Sequence, residues 1–115
     1  MAFALQGAKY ISLTTYRKDG RAVATPVWFA ERDGRLYVVT RRDSLKVKRL
    51  GRNPRVEVAP CTIRGRVTGA TSAGTARVLP ESEWPAARKV IGKKYWLHRL
   101  TLFPEKNVYV EIRSE

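Results

Sequence analysis

Alternating apolar and polar residues dominate the first third of the chain. Lys9–Tyr16 alternates and is rich in β-branched and aromatic residues, the mark of a strand, and Arg17-Lys18-Asp19-Gly20 supplies an Asp-Gly turn. Arg21–Ala30 follows as its hairpin partner, with Val23, Thr25, Val27 and Phe29 on one face and Ala22, Ala24, Pro26 and Trp28 on the other. Pro26 has no N–H to give to a ladder, which puts this strand at an edge, at a bulge or beside a ligand. A second tight turn, Glu31-Arg32-Asp33-Gly34, leads into Leu36–Thr40, so the pattern predicts a three-stranded antiparallel meander.

After Thr40 the period changes. Over Asp43–Gly51, Leu45, Val47 and Leu50 make one apolar stripe while Lys46, Lys48, Arg49 and Arg52 take the remaining positions, which predicts a short helix stopped by Gly51 and Asn53-Pro54. Arg55–Ala59 returns to a strand, Pro60–Gly69 is broken by glycine and arginine, and Ala73–Leu79 resumes as a strand. Pro80–Ile91 reads as a helix ended by Gly92, Tyr95–Leu100 as a further helical segment, and Asn107–Ile112 as a closing strand. About six strands with two to three short helices on short turns fit a closed or nearly closed antiparallel barrel better than an α/β sheet. A barrel of that size has no wide interior, so a ligand is expected on its outside or between subunits.

Length and composition narrow the chemistry. At 115 residues the chain is read as a single domain over 1–115, with room for one site. Met1–Ala8 lacks the basic start and long apolar run of a secretory signal, and no apolar stretch approaches the roughly 20 residues that span a bilayer, so a soluble, cytoplasmic protein is expected. Cys61 is the only cysteine and His98 the only histidine, which leaves no metal tetrad and no Cys/His nucleophile arrangement in the spacing. Lys and Arg number 23 against 10 acidic residues, and the net charge of +13 calls for an anionic partner. Many of these cations sit at strand ends and turns, where solubility alone would place them; the remainder cluster in Arg41–Arg52 and Arg64-Gly65-Arg66.

The junction Val39-Thr40-Arg41-Arg42-Asp43-Ser44-Leu45-Lys46 is where an anion is most easily held. Free N–H groups and the positive end of a helix dipole converge there, and Thr40, Ser44 and Lys46 add two hydroxyls and an ammonium. Helix capping by Asp43 or Ser44 with a solvated basic face explains the same residues.

The order of elements resembles the split β-barrel flavin and deazaflavin oxidoreductases, relatives of pyridoxamine 5'-phosphate oxidase, over nearly the whole chain. Within that superfamily the likeness is to small F-420-dependent enzymes. It is carried by Lys9–Thr15, Pro26-Val27-Trp28-Phe29, Ser44–Leu50, and Asn53-Pro54-Arg55-Val56 to Ala59-Pro60-Cys61. The resemblance implies a mainly β fold, a six-stranded, Greek-key-like FMN-binding split barrel. It also implies a cofactor ring lying along the second strand from Ala24 to Phe29, above all Ala24, Thr25, Pro26, Val27 and Trp28, with the phosphate reaching Val39, Thr40, Ser44 and Lys46. Core or dimer packing explains Trp28 equally well. Cys61 and Arg66 are further cofactor-site candidates; Arg41, Lys48, Arg49 and Arg64 could meet an anionic tail. A homodimer with the cofactor between subunits is implied, with Pro60-Cys61 and the Tyr95-Trp96 region reaching across.

The function implied is hydride transfer from reduced deazaflavin, coenzyme F-420, to an electron-poor organic small molecule. No catalytic residue is assigned, because the cofactor carries the chemistry. FMN in the same site is the alternative. A nucleic-acid-binding barrel is a further one, but nucleic acid is not the expected partner, because the aromatics do not interleave with cations on one face. A haem- or cofactor-binding protein without turnover is the last.

Overall fold

A computed structural model describes residue 5 and residues 7–94 and 107–114. Seven strands form one antiparallel sheet: β1 (Tyr10–Tyr16), β2 (Ala22–Trp28), β3 (Ala30–Arg32), β4 (Arg35–Arg41), β5 (Arg55–Cys61), β6 (Ser72–Val78) and β7 (Asn107–Ser114). Helix α1 (Leu45–Arg52) follows β4, and a 3-10 turn (Glu81–Glu83) leads into α2 (Trp84–Lys94). The strand order is β2-β1-β5-β6-β7-β4-β3.

Two expectations are corrected here, and both trace to Phe29. Among the described residues there are seven strands rather than six because Phe29 interrupts the run Arg21–Ala30: Ala22–Trp28 pairs with β1, whereas Ala30–Arg32 pairs with β4. The expected meander is absent for the same reason, since β4 lies between β3 and β7 and does not pair with β2. Strands β2 and β3 are the two edges of the sheet, yet one residue joins them. Only a sheet curled until its edges approach can satisfy that connection, and β2 does come into contact with β4. The result is a half-barrel, with the Phe29 ring buried inside it.

The curl separates two apolar layers. Inside lie Ile11, Leu13, Phe29, Leu36, Val38, Val56, Val58, Val110 and Ile112, plugged by Leu50 from α1. Outside, α2 lays Ala87, Val90 and Ile91 over Ala30, Leu79 and Tyr109. Period-two alternation along β4 serves both layers, with Leu36 and Val38 in the inner one and Tyr37 and Val39 packed with the outer one.

Local chemistry accounts for most of the boundaries. The β3–β4 turn has positive φ at Asp33 (54°) and Gly34 (76°), the conformation that a two-residue hairpin needs and that Asp-Gly tolerates. Ser44 caps α1 by accepting the Val47 N–H at 3.3 Å, so the helix starts at Leu45 rather than Asp43. Strand β5 runs two residues past the expected Ala59, through Pro60, which stands opposite Ile11. The Pro60 carbonyl accepts from Thr68 N–H at 2.9 Å, so its missing donor faces that loop and not β1. Gly92 lies within α2 instead of ending it, because Val90 and Ile91 are buried against the sheet and packing outweighs glycine's low propensity. The expected helix Tyr95–Leu100 lies outside the described residues. No described helix is long and apolar enough to cross a membrane.

Candidate functional site

The turn through Phe29 brings the end of β2 over the outer side of β4, and α1 begins at the far end of β4. Between them is a cavity of about 340 Å³, within the size range of small-molecule sites. Pro26, Val27, Trp28 and Phe29 line one wall, Tyr37, Val39, Thr40 and Arg41 another, and Lys46, Ile91 and Asn107 close its ends. The lining is divided in character. Trp28, Phe29, Tyr37, Val39 and Ile91 give an aromatic and aliphatic part. Thr40, Arg41, Lys46 and Asn107 give a polar corner, with Arg41 directly opposite Asn107 in the β4–β7 register.

The corner is held by the start of α1. Ser44 Oγ accepts from Val47 N–H and lies 3.3 Å from Thr40 Oγ1, so both hydroxyls are fixed beside the helix start. Of the two readings of this junction, Ser44 fulfils the cap, and the Thr40 hydroxyl stands beside it. Arg41 pairs with the exposed Asp43, Nε to Oδ1 at 3.3 Å. Lys46 is different: it is half-buried and has no carboxylate within ion-pair distance among the described residues. Burial holds its ammonium below the usual lysine range, and the Arg49 guanidinium adds to the effect. A cation that has lost water without gaining a counter-charge is stabilised by an anion brought to it.

Tyr37 is anchored from behind. Its hydroxyl donates to Glu111 Oε2 at 3.2 Å. Burial and the neighbouring carboxylate push the phenol above its ordinary range, so it stays protonated. Glu111 is itself almost fully buried and faces Arg113 at 2.9 Å, Arg77 at 3.4 Å and Arg35 at 3.8 Å. Burial pushes that carboxyl up, but hydrogen bonds and charge from Arg113 and Arg77 outweigh it and hold the pKa below the usual carboxylate range.

Of the residues singled out from sequence, Pro26, Val27, Trp28, Val39, Thr40 and Lys46 line this cavity, and Ser44 supports it. The others stand elsewhere. Ala24 is exposed on β2 opposite Thr14, and Thr25 sits opposite Leu13 with its buried Oγ1 lacking a hydrogen-bond partner among the described residues. Cys61 is buried at the end of β5 opposite Tyr10, where burial pushes its thiol up. Arg66 is exposed on the β5–β6 connection, but that connection passes beside the site strand: a Cβ on Gly65 would stand 3.7 Å from Pro26 Cδ. Tyr95, Trp96 and His98 lie outside the described residues. Phe29, at the end of the run expected to carry the ring, lines the cavity too; Tyr37, Ile91 and Asn107 join it from outside the expected set, and Arg41, expected only at the tail, lines it as well. The outward alternation with Val39 could have found Tyr37; nothing local marks Asn107, which arrives through strand pairing.

Among the described residues no group of three His, Cys, Asp or Glu is placed to hold a metal ion. The cavity holds no nucleophile–base pair in its lining either. What the lining offers is an apolar wall and a cationic corner.

Solved structures show the same fold at low identity. HutZ, the heme storage protein from Vibrio cholerae, matches with a TM-score of 0.77 at 15% identity, over 96% of this chain and 84% of that one. A FAD-binding protein from Mesorhizobium loti matches with a TM-score of 0.70 at 20% identity, over 96% and 85%. A heme binding protein from Mycobacterium smegmatis matches with a TM-score of 0.74 at 16% identity, over 96% of this chain but 48% of its own length. The chain thus spans about half of that relative. No curated protein sequence matches it. The family profile described as pyridoxamine 5'-phosphate oxidase matches residues 1–110, nearly the whole sequence. That match, carried on a curled antiparallel half-barrel, makes this chain a member of the pyridoxamine 5'-phosphate oxidase family.

Proposed function

We propose that this protein is an oxidoreductase that binds coenzyme F-420 in the cavity between β2, β4 and the start of α1 and serves hydride transfer to an electron-poor organic small molecule. The observation that carries the reading is Lys46, a half-buried cation without a carboxylate partner among the described residues, at one end of an aromatic-walled cavity. A flat heteroaromatic ring with an anionic arm matches both ends at once.

When bound, the deazaflavin supplies the hydride from ring carbon C5. The residues of this chain do the rest. Thr40, Lys46 and the N–H groups at the start of α1 hold the phosphate. Pro26, Val27, Trp28 and Phe29 offer the wall on which the ring lies, and Tyr37 and Ile91 exclude water from the other side. Tyr37, committed to Glu111, keeps its wall in place. Trp28 is partly exposed and Ile63 and Val67 are exposed on the neighbouring turn, which supports a homodimer whose second copy closes the open side of the cavity. Cys61 and Arg66 are proposed to approach the ring and tail through that closure.

The net charge of +13 favours the more anionic coenzyme, which carries a phosphate and carboxylates, over FMN. FMN is the second reading, because the Thr40–Lys46 corner suits a single phosphate equally. Spectral titration of the purified protein with each cofactor separates the two. The proposal expects saturable F-420 binding and F-420H2-dependent reduction of a quinone or nitroaromatic probe. Tight FMN binding with no response to F-420 would overturn it.

A further inference from the structure

The opposite side of α1 carries a second feature that the cavity does not use. Leu45, Lys48, Arg49 and Arg52 are spaced i, i+3, i+4 and i+7, which puts them on one helix face. That face forms one side of a trough of about 470 Å³ whose other side is the β1–β2 turn with Arg17, Lys18 and Asp19. Lys46 lies outside this face, since each residue turns the helix by about 100°.

The trough holds five cations. Its one carboxylate, Asp19, is already engaged by Arg21, which donates its backbone N–H and its Nε at 3.0 Å each. None of Arg17, Lys18, Lys48, Arg49 and Arg52 has an acidic partner within ion-pair distance among the described residues. Arg49 is fixed in place by donating its Nε to the buried Thr15 hydroxyl at 2.7 Å, which leaves the rest of its guanidinium for the trough.

We infer that this trough is a docking site for a thin linear polyphosphate chain. Three features select that occupant. Lys48, Arg49 and Arg52 lie within about 6 Å of helix rise and face Arg17 and Lys18 on the turn, so they call for a densely charged partner, and a polyphosphate carries charge on every unit. The trough runs between two walls, a helix and a turn, so a chain laid along it meets cations on both sides. Among the described residues its lining is Arg, Lys, one Leu and one Asp with no aromatic ring, so a base could stack only on a guanidinium. A single-stranded nucleic acid or an acidic peptide brings a lower charge density to the same cations.

The experiment is a competition-anisotropy measurement on the intact protein at low salt, with linear inorganic polyphosphate, an oligo-dT strand, polyglutamate and orthophosphate as probes. The inference expects polyphosphate to bind at least about tenfold more tightly than the other three at matched charge. The double variant Lys18→Ala/Arg52→Ala should weaken polyphosphate by at least about tenfold while the F-420 titration and thermal unfolding stay as in the parent. Should that variant unfold, Lys18→Glu on the exposed turn makes the same test. Equal binding of oligo-dT or polyglutamate would overturn the inference. So would polyphosphate affinity unchanged in the variants, or lost on Lys46→Met, which would move the site to the corner cavity. Because only the last outcome touches Lys46, failure here leaves the proposed function standing, and the reverse holds.

Discussion

Replacing Lys46 by Met deletes the ammonium while keeping most of the apolar stem, and two opposite effects follow. In the free protein the side chain is half-buried, its charge disfavoured by lost hydration and by Arg49, and no described carboxylate compensates. Removing that charge should leave stability unchanged within about 0.5 kcal/mol or raise it. The pH dependence has a definite sign. A lysine whose folded pKa lies below its unfolded value destabilises the fold while both states are protonated, and this cost fades as pH rises through the folded value towards 10.5. Any stability advantage of Lys46→Met is therefore fully present at neutral pH and vanishes in alkali. Cofactor affinity should move the other way, because a charge-assisted phosphate contact in a partly desolvated corner is worth about 1–3 kcal/mol, or about 5- to 150-fold. Denaturant unfolding at pH 7 and near pH 11, alongside spectral titration with F-420, reads both. An unchanged dissociation constant, or a loss of more than about 1 kcal/mol of stability, would refute the reasoning by showing that Lys46 serves the fold and not an anion.

Other perturbations test the scaffold. Glu111→Gln leaves Arg35, Arg77 and Arg113 without their shared carboxylate and should cost about 1–3 kcal/mol in denaturant unfolding, discounted because the arginines are partly exposed. In the parent protein the Glu111 contribution is complete above the usual carboxylate range and is lost as pH falls through its depressed folded pKa; an acid-unfolding profile identical to that of the variant would contradict this. Ser44→Ala removes the cap of α1 and should cost about 1 kcal/mol by the same assay. Gly69→Ala would put a Cβ 2.7 Å from the buried Pro60 ring, and a loss of about 1–3 kcal/mol in thermal unfolding is expected as the connection shifts.

The parts of this fold legible in the sequence are those set by local periods. The β1–β2 hairpin, the Asp33-Gly34 turn, the short helix after Thr40 and the closing strand all follow from alternation, turn chemistry and caps. Pro26 allows an edge, a bulge or a ligand beside its strand, and β2 is an edge strand. What local periods cannot carry is the path between elements. Ala30–Arg32 continues the β2 alternation with only Phe29 between, so nothing local reveals that those three residues cross to the opposite edge of the sheet. The same crossing builds the cavity wall. Thr40, Ser44 and Lys46 were visible because one strand-to-helix junction brings them together, whereas Asn107 and Ile91 arrive from distant segments by pairing and helix docking.

The most direct test of the central claim is a crystal structure of the protein with F-420 bound. The account predicts the phosphate within hydrogen-bond distance of Lys46 Nζ and the Thr40 hydroxyl, with the ring along Pro26–Trp28. A coenzyme seated elsewhere, with Lys46 left facing solvent or paired to a protein carboxylate, would contradict it.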